Sequence, residues 1–242
     1  MAMEAQDVIQ HTSSEFARFL KNVRGHALEM GGLAEQHVES AIQAFLEGDQ
    51  KLAKKIARAD FKVNALEVKI DEECSEILAL RHPVAMDLRT VIAVIKATTD
   101  LERVGDEAEK IARLTAHLDY QSVRKRHLRP VKHIGRHVLA MLHKALDAFA
   151  RLDTDLALEV LKEDLEVDEE YEAGMRQMIT FMMEDPHTIR LVLEVLWCAK
   201  ALERIGDHAA NICEHVLYQV LGKDLRHISI EQVEQELTDA QV

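Results

Sequence analysis

The 242-residue sequence predicts an all-α fold, two tandem three-helix bundles related by an internal repeat. Three observations lead there. Only 9 glycines and 3 prolines punctuate the chain, and with aromatics at 4% the interior must be filled by Leu, Ile, Val, Ala and Met, which suit helix packing better than a sandwich or barrel. Neither G-x-G-x-x-G nor G-x-x-x-x-G-K-S/T occurs, which removes dinucleotide-binding and P-loop enzymes and the doubly wound sheets that carry them. Finally, LERVGDEAEKIA (Leu101 to Ala112) returns as LERIGDHAANIC (Leu202 to Cys213), identical at 7 of 12 positions with an offset of 101.

A second repeated block fixes the elements around it. The 20 residues from Ala44 match those from Ala148 at 7 positions, offset 104, so the second copy is three residues shorter between its blocks. In the first copy, helices are expected from Val8 to Glu47, Gln50 to Arg81 and Val84 to Asp119; in the second, from Leu128 to Arg151, Thr154 to Glu184 and His187 to Leu221. Asp49 and Asp153 are matched N-caps, and the short turns before them force antiparallel neighbours. Pro83 and Pro186 precede helical runs, while the basic stretch SVRKRHLR, closed by Pro130, separates the copies. The bundles then occupy 8–121 and 128–222, with 223–242 a tail in which Ser229 to Gln232 reads as a capping box opening a short helix.

The third helix of each copy carries an apolar stripe: Leu88, Val91, Ile95, Leu101, Val104, Ala108 and Ile111, matched by Val192, Val195, Leu202, Ile205, Ala209 and Ile212. Gly105 and Gly206 interrupt these stripes at about 1 kcal/mol each relative to alanine, for which close approach of another helix is the simplest compensation. Cys74, Cys198 and Cys213 form no C-x-x-C and read as buried small apolar residues, and the first residues have no secretory apolar core, which together fit a reducing cytoplasm. No run approaches a membrane span, so membrane contact is expected only through partners. The net charge of −13 opposes bulk binding to nucleic acid or anionic lipid, leaving room only for a local basic patch.

The chemistry-bearing pattern is acidic. Glu102 and Asp106 lie four apart on one helix face, and Glu203 and Asp207 repeat the arrangement. On the second helices, Asp60 and Asn64 correspond to Asp164 and Asp168, and Glu67 and Asp71 continue the row in the first copy. Like charges at this spacing destabilise a helix, so their repetition points to an opposing charge. Two sources stand open. One is a hard cation, Mg²⁺, Mn²⁺ or Fe, since the donors are oxygens without accompanying Cys or His. The other is ordinary ion pairing with Arg103 and Arg204.

Catalysis finds little support. The only E-x-x-H, Glu184 to His187, straddles a proline, where a ferritin-like di-iron site needs one on each of two helices. No nucleophile elbow or H-E-x-x-H is present. His82 and His208 read as exposed or core-edge residues, and Met175, Met178, Met182 and Met183 as adaptable core. A metal-dependent enzyme or iron store built on the carboxylate rows remains the alternative function class, and a plain helical scaffold a third.

The paired L-E-R-V/I-G-D-x-A blocks, the M-G-G of Met30 to Gly32 and P-V-A-M-D-L-R from Pro83 to Arg89 resemble the PhoU family of phosphate-signalling regulators. The resemblance covers nearly the whole chain. It implies two three-helix bundles side by side with acidic motifs able to hold metal at the surface. It further implies a cytoplasmic, non-enzymatic negative regulator of the phosphate-starvation response, dimeric, linking the ATPase subunit of a phosphate ABC transporter to a membrane sensor histidine kinase. The second copy departs from the pattern: P-H-T-I-R replaces P-V-A-M-D-L-R, leaving Asp87 without a counterpart, and Ala201 stands where the first copy has Asp100.

Overall fold

The turns that open the second helix of each bundle are built alike. Asp49 accepts from the Leu52 N–H at 3.0 Å and Asp153 from the Leu156 N–H at 3.0 Å, each satisfying an orphan donor. The residues just before them, Gly48 (φ 72°) and Leu152 (φ 56°), both turn through the left-handed region. Gly48 has no alternative, because a Cβ there would lie 2.9 Å from the Tyr120 ring, whose hydroxyl donates to the Phe45 carbonyl at 2.7 Å.

The computed structural model describes residues 2–59, 61–225 and 228–240, with side chains from residue 16 onward. The first bundle consists of α1 (Ala2–Glu47), α2 (Gln50–Ala59), α3 (Phe61–Arg81) and α4 (Ala85–His117). The expected Gln50 to Arg81 run thus spans two elements, with Asp60 outside the described residues. The second bundle consists of α5 (Lys125–Arg151), α6 (Thr154–Glu184) and α7 (Ile189–Leu221), with one 3-10 turn at Pro186–Thr188. No strand occurs among the described residues. A short α8 (Ile230–Ala240) is opened by Ser229 and Gln232, which exchange hydrogen bonds as a capping box, and buries Val233 and Leu237 against α6.

Two boundaries differ for identifiable reasons. The basic stretch does not merely separate the copies: Lys125 to Arg129 form the start of α5, which begins at Lys125 rather than Leu128, so Pro130 lies deeper in the helix than the expected first turn. Burial of His127 (1% exposed) draws this extra turn in, its ring edge-on to Phe181 at 5.4 Å and its Nδ1 accepting from the Arg124 N–H. Before α7, Asp185 caps the 3-10 turn through the His187 N–H at 3.1 Å, delaying the α-helix to Ile189.

The bundles meet along α4 against α7, flanked by α1 against α5. The predicted stripes form the core: Val91, Leu101, Val104, Ala108 and Ile111 on α4 and all six expected positions on α7 are at most 1% exposed. Leu88 lies outside it, exposed near the start of α4, and Met183 is 79% exposed although Met178 is core. All three cysteines are buried. In the M-G-G segment, a Cβ on Gly31 would come within 2.4 Å of Leu146, so this glycine permits the α1–α5 contact. Gly206 does otherwise. Its Cβ would make ordinary contacts, the nearest atom being Asp164 Oδ1 at 3.5 Å, so close helix approach does not explain it. The glycine instead leaves space beside a carboxylate.

Candidate functional site

Asp164 and Asp168 lie one turn apart on α6, and Glu203 and Asp207 one turn apart on α7, which packs beside it. The structure brings these predicted residues together. Single oxygens of Asp168, Glu203 and Asp207 all lie within 4.8 Å of one another. Asp164 belongs to the same charge cluster: burial, then Asp207, Asp168, Glu203 and Glu214, push its carboxyl up to about 7. Burial, Glu203 and Asp168 likewise raise Asp207, opposed by Lys200 and His208. One oxygen of Glu203 pairs with Lys200, whereas its Oε2 is buried without a hydrogen-bond partner. An orphaned buried carboxylate oxygen and converging acids fit a hard cation with oxygen preference.

The first bundle is arranged differently. Arg103 reaches Glu102 at 3.4 Å and Asp106 at 3.8 Å, placing a guanidinium between the motif acids. Burial and Asp71 raise Glu67, with Arg103 opposing and Asp106 adding to the effect, so Glu67 joins this cluster although the primary pattern centred on Asp60 and Asn64. Asn64 is exposed on α3, and Asp60 lies outside the described residues. Arg204, the counterpart of Arg103, turns instead across the bundle interface to Glu107 at 2.8 Å. Ion pairing therefore holds for the first copy's motif acids, while Arg204 is engaged by the other bundle.

Sequence reasoning missed a polar cluster at the centre of the α4–α7 contact. Asp100 Oδ1 accepts from His208 Nδ1 at 2.9 Å and Asn211 Nδ2 at 3.0 Å, and its Oδ2 accepts from His215 Nε2 at 2.8 Å. Burial works to raise the carboxyl, but the hydrogen bonds from His208, His215 and Asn211 prevail and hold it at about 2. His208 sits at the core edge, as expected there, and its hydrogen bond to Asp100 makes it an interface residue as well. The available signal was the unmatched Asp100 combined with H-x-x-N-x-x-x-H on α7, one row on one helix face.

A family model of the PhoU domain matches residues 27–115 and again 131–216. The chain belongs to the PhoU family. It is 47% identical, over 94% of each chain, to the phosphate-specific transport system accessory protein PhoU homolog of Pseudomonas aeruginosa. It is 43% identical, over 96% of each chain, to the accessory protein PhoU of Escherichia coli. Among solved structures, P. aeruginosa PhoU superposes with a TM-score of 0.83 at 48% identity, covering 86% of this chain and all of that one. The phosphate transport system regulatory protein PhoU of Streptococcus pneumoniae gives 0.80 at 29% identity, covering 86% and 98%. These likenesses agree with the tandem bundles and place this PhoU-family chain among accessory proteins of phosphate transport.

Proposed function

We propose that this chain is a negative regulator of the phosphate-starvation response, acting as a cytoplasmic, homodimeric adaptor between the ATPase subunit of a phosphate ABC transporter and a sensor histidine kinase. The whole-length family match carries the reading. One feature is consistent with it: no described helix is long and apolar enough to cross a membrane. The mechanism is population shift, in which the adaptor favours the repressing state of the kinase by binding it better than the activated state. Deletion should leave phosphate-uptake genes expressed in rich medium, and a plasmid copy should restore repression. A deletion strain that still silences a phosphatase reporter in excess phosphate removes the reading.

The acidic rows supply the second part of the proposal. Asp168, Glu203 and Asp207, with Asp164 behind them, hold one Mg²⁺, Mn²⁺ or Fe ion in the second bundle. Glu102, Asp106 and Glu67 provide a weaker seat in the first, where Arg103 already supplies positive charge. A bound cation would supply charge neutralisation. The chain's own acids tether α6 to α7 around it, and Gly206 keeps the space beside Asp164 open.

A further inference from the structure

The structure assigns a second, unrelated electrostatic feature to the first bundle: we propose that the exposed cationic face of α2 and the start of α3 docks directly on an anionic phospholipid bilayer. Lys51, Lys54, Lys55 and Arg58 occupy positions i, i+3, i+4 and i+7 of α2 and are all exposed, while Ala53 and Ile56 on the other side are buried at 1% and 4% exposure. Lys62 and Phe61 follow at the start of α3. Together with Ala59, these side chains line a shallow depression of about 320 Å³ that carries no acid among the described residues, Asp60 between Ala59 and Phe61 lying outside them. None of the five cations forms a side-chain ion pair or hydrogen bond among the described residues, although acids outnumber bases 43 to 30 in the chain. The nearest described acid in sequence, Asp49, is engaged with the Lys51 and Leu52 backbone N–H groups.

The repeat provides an internal control. At the offset of 104, the row Lys51, Lys54, Lys55, Arg58 and Lys62 becomes Asp155, Leu158, Glu159, Lys162 and Glu166. There the charges that face neighbours are paired, Glu159 with Lys144 and Lys162 with Glu234, each at 2.5 Å. The bundle scaffold therefore does not require cations on this row. Only the first copy concentrates them, and it leaves them unpaired.

Phe61 decides which anionic partner fits. Its ring is 65% exposed between Arg58 and Lys62, and a bare aromatic among lysines and arginine is the composition of a surface that lies in a membrane interface, the ring entering the headgroup boundary while the cations meet lipid phosphates. The second copy also exposes an apolar residue at the matching position, Leu165 at 58%, but beside a paired Lys162 and an acidic Glu166. The combination of a bare ring with unpaired cations is thus particular to the first copy, and an acidic protein segment would use only the cations. The sequence expectation routes membrane contact only through partners; this face adds a direct contact. It is independent of the adaptor reading and of the acidic clusters.

The test is flotation of the full chain with vesicles of phosphatidylcholine alone or mixed with phosphatidylglycerol. Binding is expected only to the anionic vesicles and to weaken steeply with salt. Each cation removed should lower partitioning by about fivefold, so Lys54→Gln with Lys55→Gln lowers it by about twenty-five-fold. Phe61→Ser should also lower it. Removing two exposed charges from α5, Lys125→Gln with Lys132→Gln, should leave binding near wild type, and all variants should keep the wild-type helix content and melting temperature. Equal binding to neutral vesicles, or an equal loss with the α5 pair, overturns the assignment. So does tripolyphosphate binding lost in Lys54→Gln/Lys55→Gln without any vesicle binding, which would make this a site for a soluble phosphoanion. Capture of an acidic protein through this face, without vesicle binding, overturns it as well.

Discussion

Replacing Asp164 by asparagine should stabilise the metal-free protein at alkaline pH. The carboxyl titrates near 7 in the folded chain, because burial and then Asp207, Asp168, Glu203 and Glu214 oppose its charge, against an ordinary value of 3.8. Between those values the folded protein holds a proton that the unfolded chain has lost, so stability falls as pH rises from about 4 to 7, and above 7 the full cost remains. The shift corresponds to ~4 kcal/mol. Water at this half-buried carboxyl screens it to about 2 to 3 kcal/mol, roughly 4 to 12 °C in Tm for a chain of this size. Asparagine keeps the shape and removes the charge. Melts in chelator should therefore show Asp164→Asn above wild type at pH 8 and close to it at pH 4.5. Equal melting at pH 8, or the same gain at both pH values, would refute the reasoning, since neither outcome follows from an ionised, crowded carboxylate.

Other parts of the structure make separate predictions. Asp100→Ala should destabilise by about 3 kcal/mol at pH 7, because His208, Asn211 and His215 lose their shared acceptor at the bundle interface; urea titration measures it. Since this carboxyl is held at about 2, its contribution of about 2 kcal/mol is present above pH 4 and lost as pH falls toward 2, so the wild type, but not Asp100→Ala, should show that increment in acid melts. Gly31→Val should lower stability by about 1 to 3 kcal/mol through collision with Leu146, whereas Gly206→Ala, which meets only ordinary contacts, should cost nothing in packing yet weaken cation uptake by filling the space beside Asp164. Arg103→Gln should increase divalent-ion uptake by the first bundle, read by calorimetry, because it removes the guanidinium between Glu102 and Asp106.

The architecture was legible because local signals agree with the global fold. Asp49 and Asp153 cap where their spacing places them, and the apolar period of α4 and α7 marks the faces that become buried. The i, i+4 acids were visible for the same reason, since helical spacing alone puts Glu203 beside Asp207 and Asp164 beside Asp168. What a single chain of letters does not carry is the direction of a long side chain. Arg103 and Arg204 occupy identical positions in the repeat, yet one folds back on its own motif and the other crosses to Glu107. The Asp100 cluster was hidden because its members are 108 to 115 residues apart and meet only when the two bundles dock. The start of α5 was placed too late for a related reason: the burial of His127, which depends on tertiary packing, draws Lys125 to His127 into the helix ahead of the expected Leu128.

On the proposed reading, the repeated acids have diverged, leaving the second bundle as the principal cation seat. Calorimetric titration of chelator-stripped protein with Mn²⁺ tests this most directly, comparing wild type with Glu203→Gln/Asp207→Asn and with Glu102→Gln/Asp106→Asn. The second-bundle pair is expected to lose the tighter uptake together with the rise in Tm that Mn²⁺ gives the wild type, about 2.7 kcal/mol at a hundredfold excess over Kd, while the first-bundle pair keeps both. No uptake by the wild type, or tight uptake unchanged in Glu203→Gln/Asp207→Asn, would contradict it.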